Sequence, residues 1–140
     1  MLEFPYMHIV GGVARPIIAI AIEGPSGRHL LDGLVDTGAD RTIFPRGDAA
    51  LLGIQLSSEP NGAIKTAGGV LIDFRLADVV LELRGSGSIV RWKTSVAFAE
   101  SPLSVIHLGT RGFLEFFHCT FLGPEKKVRL VSCASLPTIA

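Results

Sequence analysis

Asp36, Thr37 and Gly38 are the residues of this chain whose types and spacing point to chemistry. They stand in Gly33-Leu34-Val35-Asp36-Thr37-Gly38-Ala39-Asp40-Arg41-Thr42, where an apolar run drives straight into an acid, a hydroxyl and a glycine. The acid is therefore placed where a strand leaves the core. Burying a charge without a partner costs several kcal/mol, so a carboxylate there is not expected to be idle. Thr37 offers a hydroxyl to hold a neighbouring loop, and Gly38 lets backbone approach closely or adopt a positive φ. The other reading is a turn acid at a strand end, with Thr37 and Gly38 as ordinary turn residues. The triplet occurs once in the chain.

The elements that must position it read as strands. Ile17 to Ile22 is β-rich and apolar on both faces, which predicts a buried strand. Gly24-Pro25-Ser26-Gly27 is a turn, and His29 to Val35 is the return strand that delivers Asp36. Ile43 and Phe44 continue as strand to Pro45. Asp48 to Leu52 fits one short helix ended by Gly53. Val70 to Leu83 is the longest strand signal. Ile72, Phe74 and Leu76 share one face, but Val79, Leu81 and Leu83 fall on the other, which predicts a bulge or sharp bend near Ala77-Asp78. Gly85-Ser86-Gly87-Ser88 reads as a hairpin loop rather than a linker, because Val90 to Phe98 alternates well after it. Gly112 to Phe117 reads as a short helix. His118 to Leu122 and Lys127 to Val131 form a closing hairpin. The fold class expected is all-β, a small closed barrel with one or two short helices.

Length and composition bound the rest. At 140 residues the chain is most simply one domain, with an N-terminal arm over residues 1–13, a core over 14–131 and a tail over 132–140. Lys plus Arg, 13, equals Asp plus Glu, 13, which argues against nucleic acid or an anionic membrane as partner. No apolar run reaches the roughly 18–20 residues of a membrane span. No basic region precedes an apolar one at the N-terminus, so no signal peptide is expected. Cys119 and Cys133 then read as free thiols, and the localisation expected is cytoplasmic. His8, His29 and His118 lack metal-ligand spacing, so neither a metal nor another cofactor is expected.

The residues around Asp36 resemble the retropepsin-like aspartic proteases, the clan of the retroviral proteases, in the manner of a bacterial-type single-domain member. Three blocks carry the resemblance, in the family's order and over about residues 14 to 131. The first is Arg15-Pro16-Ile17-Ile18 with the hairpin into Asp36-Thr37-Gly38-Ala39-Asp40. The second is Ala67-Gly68-Gly69-Val70, similar to the family's flap tip. The third is Val105-Ile106-His107-Leu108-Gly109 followed by Gly112-Phe113-Leu114.

The resemblance implies a retropepsin-type barrel and an aspartic endopeptidase. Peptide hydrolysis without a metal or a covalent nucleophile needs an activated water and an acid for the leaving nitrogen. Two carboxylates sharing one proton do both. This chain supplies one Asp-Thr-Gly, so the resemblance implies a homodimer that pairs Asp36 with its mate. Thr37 looks like the hydroxyl that cross-links the two active-site loops, and Gly38 like the glycine beside the carboxylates. Ala39 stands where pepsin-like enzymes often carry Ser or Thr. One hydrogen bond to the carboxylate is then missing, which predicts an acid limb less extreme than pepsin's.

Asp40 resembles the residue that binds substrate backbone and pairs with an arginine of the other subunit, a position matched by Arg15. Ala67, Gly68 and Gly69 match the flap over the substrate. The walls expected include Leu34, Ile43, Val70 and His107. His107 stands where the family often has an apolar pocket residue. It is read either as an added titrating group or as a histidine hydrogen-bonded within the wall. Gly109 matches the family's late glycine. Arg111 lies one position along from the arginine of many bacterial relatives, Leu-Gly-Arg-Asp-Gly-Phe-Leu, which this chain writes as Leu108-Gly109-Thr110-Arg111-Gly112-Phe113-Leu114. The hairpin at the C-terminus exceeds the retroviral pattern and implies a different dimer sheet. The partners implied are a second copy and a peptide or protein substrate. The rival is a dimeric peptide-binding module on the same fold without activity.

Overall fold

The computed structural model describes residues 1–8, 11–66, 68–100 and 106–139. In chain order its strands are β1 (Leu2–Pro5), β2 (Met7–His8), β3 (Ala14–Arg15), β4 (Ile17–Gly24), β5 (Gly27–Val35) and β6 (Ile43–Pro45). After the one-and-a-half-turn helix α1 (Arg46–Leu51) come β7 (Gly62–Lys65), β8 (Leu71–Gly85), β9 (Ser88–Ala99) and β10 (Ile106–Leu108). A 3-10 turn at Leu114–Phe116 precedes β11 (Phe117–Leu122) and β12 (Lys127–Ser132).

Six strands close on themselves in the order β4-β5-β10-β6-β9-β8, with β8 returning to β4. The expected all-β closed barrel with short helical pieces is what forms. Closure removes the free edges that an open sheet of this apolar content would expose. Ile18, Ile20 and Ile22 of β4 fill the interior against Leu81 and Leu83 of β8 and Trp92, Val96 and Phe98 of β9. Ile17 and Ala21, on the other face of β4, are also buried, while Ala19 between them is exposed. Trp92 is fully buried and donates its Nε1–H to the Gly112 carbonyl at 3.0 Å. Its ring meets Phe113 and Phe117 at centroid distances of 5.9 and 5.3 Å. Gly53, at φ 69, ends α1 in the left-handed region where a side chain would be strained.

The bulge expected near Ala77-Asp78 is absent. The β8–β9 ladder runs without a break from Phe74↔Ala99 to Gly85↔Ser88. The apolar face changes because β8 serves two clusters on opposite sides of the sheet. Its first half pairs with β7 and places Phe74, Ile72 and Leu76 against Ile43, Ala97 and Ala99. Its second half pairs with β4 and turns Val79, Leu81 and Leu83 into the barrel.

The seam where β4 meets β8 carries a buried acid. Glu82, opposite Ala21 and only 6 % exposed, is bonded by Arg84 and, at 2.6 Å, by Arg28. Arg91 lies 3.2 Å from Glu82 and 2.8 Å from Glu23, so four strands are tied at this point. Burial works to raise the Glu82 carboxyl pKa. The Arg84 hydrogen bond and the Arg28 and Arg84 charges outweigh it, and the net direction is down from the ordinary 4.5. A depressed carboxyl pKa stabilises the fold above the unfolded value, and this stability is lost as pH falls through the folded one. Glu82→Gln is therefore expected to lower unfolding free energy by about 1–2 kcal/mol at neutral pH, since the arginines lie partly in solvent. In denaturant titrations the gap to wild type should close as pH drops below 4.5; a gap that widens there would refute the pairing.

The C-terminal hairpin β11–β12 forms as expected, and β1 pairs with β12 in the same chain, Leu2↔Leu130 through Pro5↔Lys127. The strand that begins the N-terminal arm is thus bonded to the C-terminal hairpin. Both cysteines are free thiols. Burial pushes the Cys119 thiol up to about 11. A hydrogen bond from Ser135 is the main cause lowering that of Cys133. Among the described residues no helix is long and apolar enough to cross a membrane.

Candidate active site

β5 and β10 are parallel neighbours, with Ile106↔Gly33, His107↔Leu34 and Leu108↔Val35 in register. Two strands about seventy residues apart in sequence therefore end at the same rim of the barrel. β5 delivers Asp36 there and β10 delivers His107. The Asp36 backbone N–H donates to the Leu108 carbonyl at 3.1 Å, which fixes the height at which the chain turns out of the sheet.

The loop that follows is strapped to the segment after β10. Thr110 N–H donates to the Ala39 carbonyl, Arg111 N–H to the Asp40 carbonyl and Thr42 N–H to the Arg111 carbonyl, each at 2.9 Å. Gly109 lies under this strap. A Cβ there would stand 2.3 Å from the Arg41 carbonyl oxygen and 2.6 Å from that of Ala39. No side chain fits, which is the physical reason for a glycine at this point.

Both oxygens of the Asp36 carboxylate are held. Gly38 N–H donates to Oδ1 at 2.9 Å, and His107 Nδ1 lies 2.9 Å from Oδ2. Toward an ionised carboxylate, which only accepts, the histidine would make this contact with Nδ1–H. The hydrogen bond that Ala39 cannot supply from its side chain is thus supplied from β10. Of the two readings of His107, the hydrogen-bonded one matches the geometry, and its partner is the acid itself.

A cavity of about 660 Å³ opens over this carboxylate. Asp36, Gly38, Ala39 and Asp40 form its floor. The β7–β8 hairpin roofs it with Ile64, Lys65, Thr66, Ile72 and Phe74, while Ile43, Ala99 and His107 close the side. Arg41 enters from the loop and lays its guanidinium 5.1 Å from the centre of the Phe74 ring. A largely apolar space with a few converging polar groups is the usual form of a ligand site.

The expected residues divide clearly. Asp36, Gly38, Ala39, Asp40 and His107 meet at the cavity, and Ile43 lines it. Thr37 sits on the loop but is exposed. Leu34 and Val70, expected in the walls, do not line the cavity. Val70 is 62 % exposed at the hairpin tip. Gly68 and Gly69 lie in that tip, beyond the cavity. Gly69 has φ 81, and its N–H donates to the Thr66 carbonyl at 2.9 Å. Ala67 and Val105 lie outside the described residues. Arg15 is exposed on β3, opposite Met7 of β2. Arg111 holds the loop through its backbone, paired with Arg41 in a parallel bridge, and its side chain points to solvent.

Sequence reasoning missed Arg41, Lys65, Ile64 and the roof made by Ile72 and Phe74. The signal for the roof is the alternation that sets Ile72 and Phe74 on one face of a strand. Arg41 directly follows the Asp36-to-Asp40 segment.

No protein-family model matches the chain, and no curated protein matches it. Among solved structures it is similar to the EIAV protease complexed with the inhibitor HBY-793, at 24% sequence identity and a TM-score of 0.51. The match covers 68% of this chain and 81% of that one. With the closed barrel, this likeness shows a retropepsin-type fold.

Proposed function

We propose that the chain is an aspartic endopeptidase, active as a homodimer in which each subunit contributes one Asp36. The observation that carries the reading is the Asp36 carboxylate at the floor of a roofed cavity on a retropepsin-type fold. A second copy would set the two carboxylates about 3 Å apart, where both cannot easily stay ionised and the pair shares a proton. The ionised member takes a proton from a water between them as its oxygen attacks the scissile carbonyl. The protonated member gives its proton to the leaving nitrogen as the C–N bond breaks. The apparent titrations then belong to the dyad.

Asp40 and the Ala39 backbone bind the substrate main chain in this reading, and the β7–β8 hairpin with Gly68 and Gly69 serves as the flap that excludes water. Ile43, Ile64, Ile72 and Phe74 receive apolar side chains. Thr37 ties the two active-site loops, and Arg15 reaches Asp40 of the other subunit.

The alternative is a dimeric peptide-binding module. It is favoured by the Asp36–His107 hydrogen bond, which gives the carboxylate a partner within its own chain. Digestion of a diverse peptide library from acidic to neutral pH, with sedimentation of the same sample, separates the two. Endoproteolytic products from a dimer support the peptidase. A dimer that binds peptides and releases no products would establish the module.

A further inference from the structure

The carboxylate used in the proposed mechanism is gripped more completely than two-carboxylate chemistry demands. A shared-proton pair needs no imidazole beside it, yet His107 stands 2.9 Å from Asp36 Oδ2 while Gly38 N–H holds Oδ1. Both side chains of this pair are 29% exposed. The bond is therefore neither a loose surface ion pair nor a sealed piece of core; it is part of the cavity wall.

We propose that His107 is a positioning residue for Asp36. Its Nδ1–H on Oδ2, together with the Gly38 N–H on Oδ1, fixes the plane of the carboxylate toward the water and the mate's carboxylate. This inference rests on the catalytic reading of Asp36.

The physical argument is rotational. The terminal torsion of an aspartate is broad and roughly two-fold, so one hydrogen bond leaves the carboxylate free to swing about the anchored oxygen. Bonds to both oxygens, from groups on different elements, hold a plane. Gly38 belongs to the turn itself and moves with it. His107 belongs to a strand in parallel register with β5, and a strand holds a side chain more precisely than a loop does. Ala39 brings no hydroxyl to the carboxylate, and the second anchor in this chain is His107. The other charged groups facing the pair are Asp40 and Arg41 from the loop and Lys65 from β7. Among the described residues none of these three is bonded to the Asp36 side chain, and Arg41 is engaged with Phe74.

The test compares His107→Leu with His107→Asn, whose amide N–H reproduces a donor near the Nδ1 position. Leu is expected to lower kcat by about 10- to 10²-fold, the usual cost of a misplaced reacting group, with KM little changed. Asn is expected to recover most of that loss. Nitrogen NMR of the wild-type imidazole should show a hydrogen on Nδ1, and Asp36→Asn should alter that signal; this readout stands even if the Leu variant fails to fold. The proposal is overturned if Asn loses as much kcat as Leu, if both retain the wild-type value, or if the ring carries its hydrogen on Nε2. Cleavage that survives in Asp36→Asn would instead overturn the catalytic reading. An inactive Asp36→Asn beside a fully active His107→Leu would sink only the positioning role.

Discussion

Asp36→Asn is expected to lower peptide cleavage by about 10²–10⁴-fold or more, the range for removing a positioned acid or base, while the protein remains folded. Asn keeps the shape of the side chain. Its carbonyl oxygen still accepts from Gly38 N–H, where Oδ1 now lies at 2.9 Å. Its amide can donate toward His107, which needs only to present the other tautomer at Nδ1. The structural cost is therefore small. The chemical cost is large, because an amide neither takes a proton from water nor returns one to nitrogen. In a homodimer the substitution strikes both halves of the site at once. Thermal unfolding close to wild type, with products absent from the library digest, is the combined result expected. Cleavage at the wild-type rate would place the chemistry elsewhere.

Gly109→Ala is expected to cost the fold itself about 3–5 kcal/mol, a large part of the roughly 5–15 kcal/mol that holds a domain together. The added carbon would meet two backbone oxygens, of Arg41 at 2.3 Å and of Ala39 at 2.6 Å. Neither yields by rotating a side chain. The Ala39 carbonyl already accepts from Thr110, and the neighbouring Asp40 carbonyl from Arg111. Opening the space pulls apart the strap that fixes the Asp36 loop. Gly38→Ala is the useful contrast, since its Cβ meets only Asp36 Oδ1, at 3.2 Å. That variant should fold and disturb the carboxylate alone. Denaturant midpoints for the pair measure both effects. A Gly109→Ala protein within experimental error of wild type would show that the strap is not the rigid support described.

What was legible in the sequence was local. The β4–β5 hairpin followed from two apolar runs around Gly24-Pro25-Ser26-Gly27, and Asp36 from the abrupt end of the second. The Gly85-Ser86-Gly87-Ser88 turn and the C-terminal hairpin followed from alternation on either side of glycines. What stayed hidden depended on pairings distant in sequence. The three-residue strand β10 carries too little pattern to reveal that it lies parallel to β5. His107 was therefore placed in a wall, and its bond to Asp36 went unseen. In β8 a change of apolar face reads as a bulge or sharp bend, and the ladder has no bulge. Face alternation records which cluster a residue meets, and here one regular strand passes between two clusters. The pairing of β1 with β12 joins the two ends of the chain, a contact for which neither segment carries a local sign.

In the proposed homodimer each chain supplies half of a symmetric site, and mixing tests this most directly. Wild-type chains are combined with Asp36→Asn chains at constant total concentration and re-equilibrated, and peptide cleavage is followed against the wild-type fraction. A site shared between two subunits predicts activity that follows the square of that fraction, roughly one quarter at equal mixing, because mixed dimers carry a single Asp36. Activity that falls in direct proportion, to roughly one half at equal mixing, would mean that each chain works alone and would contradict the paired-carboxylate account.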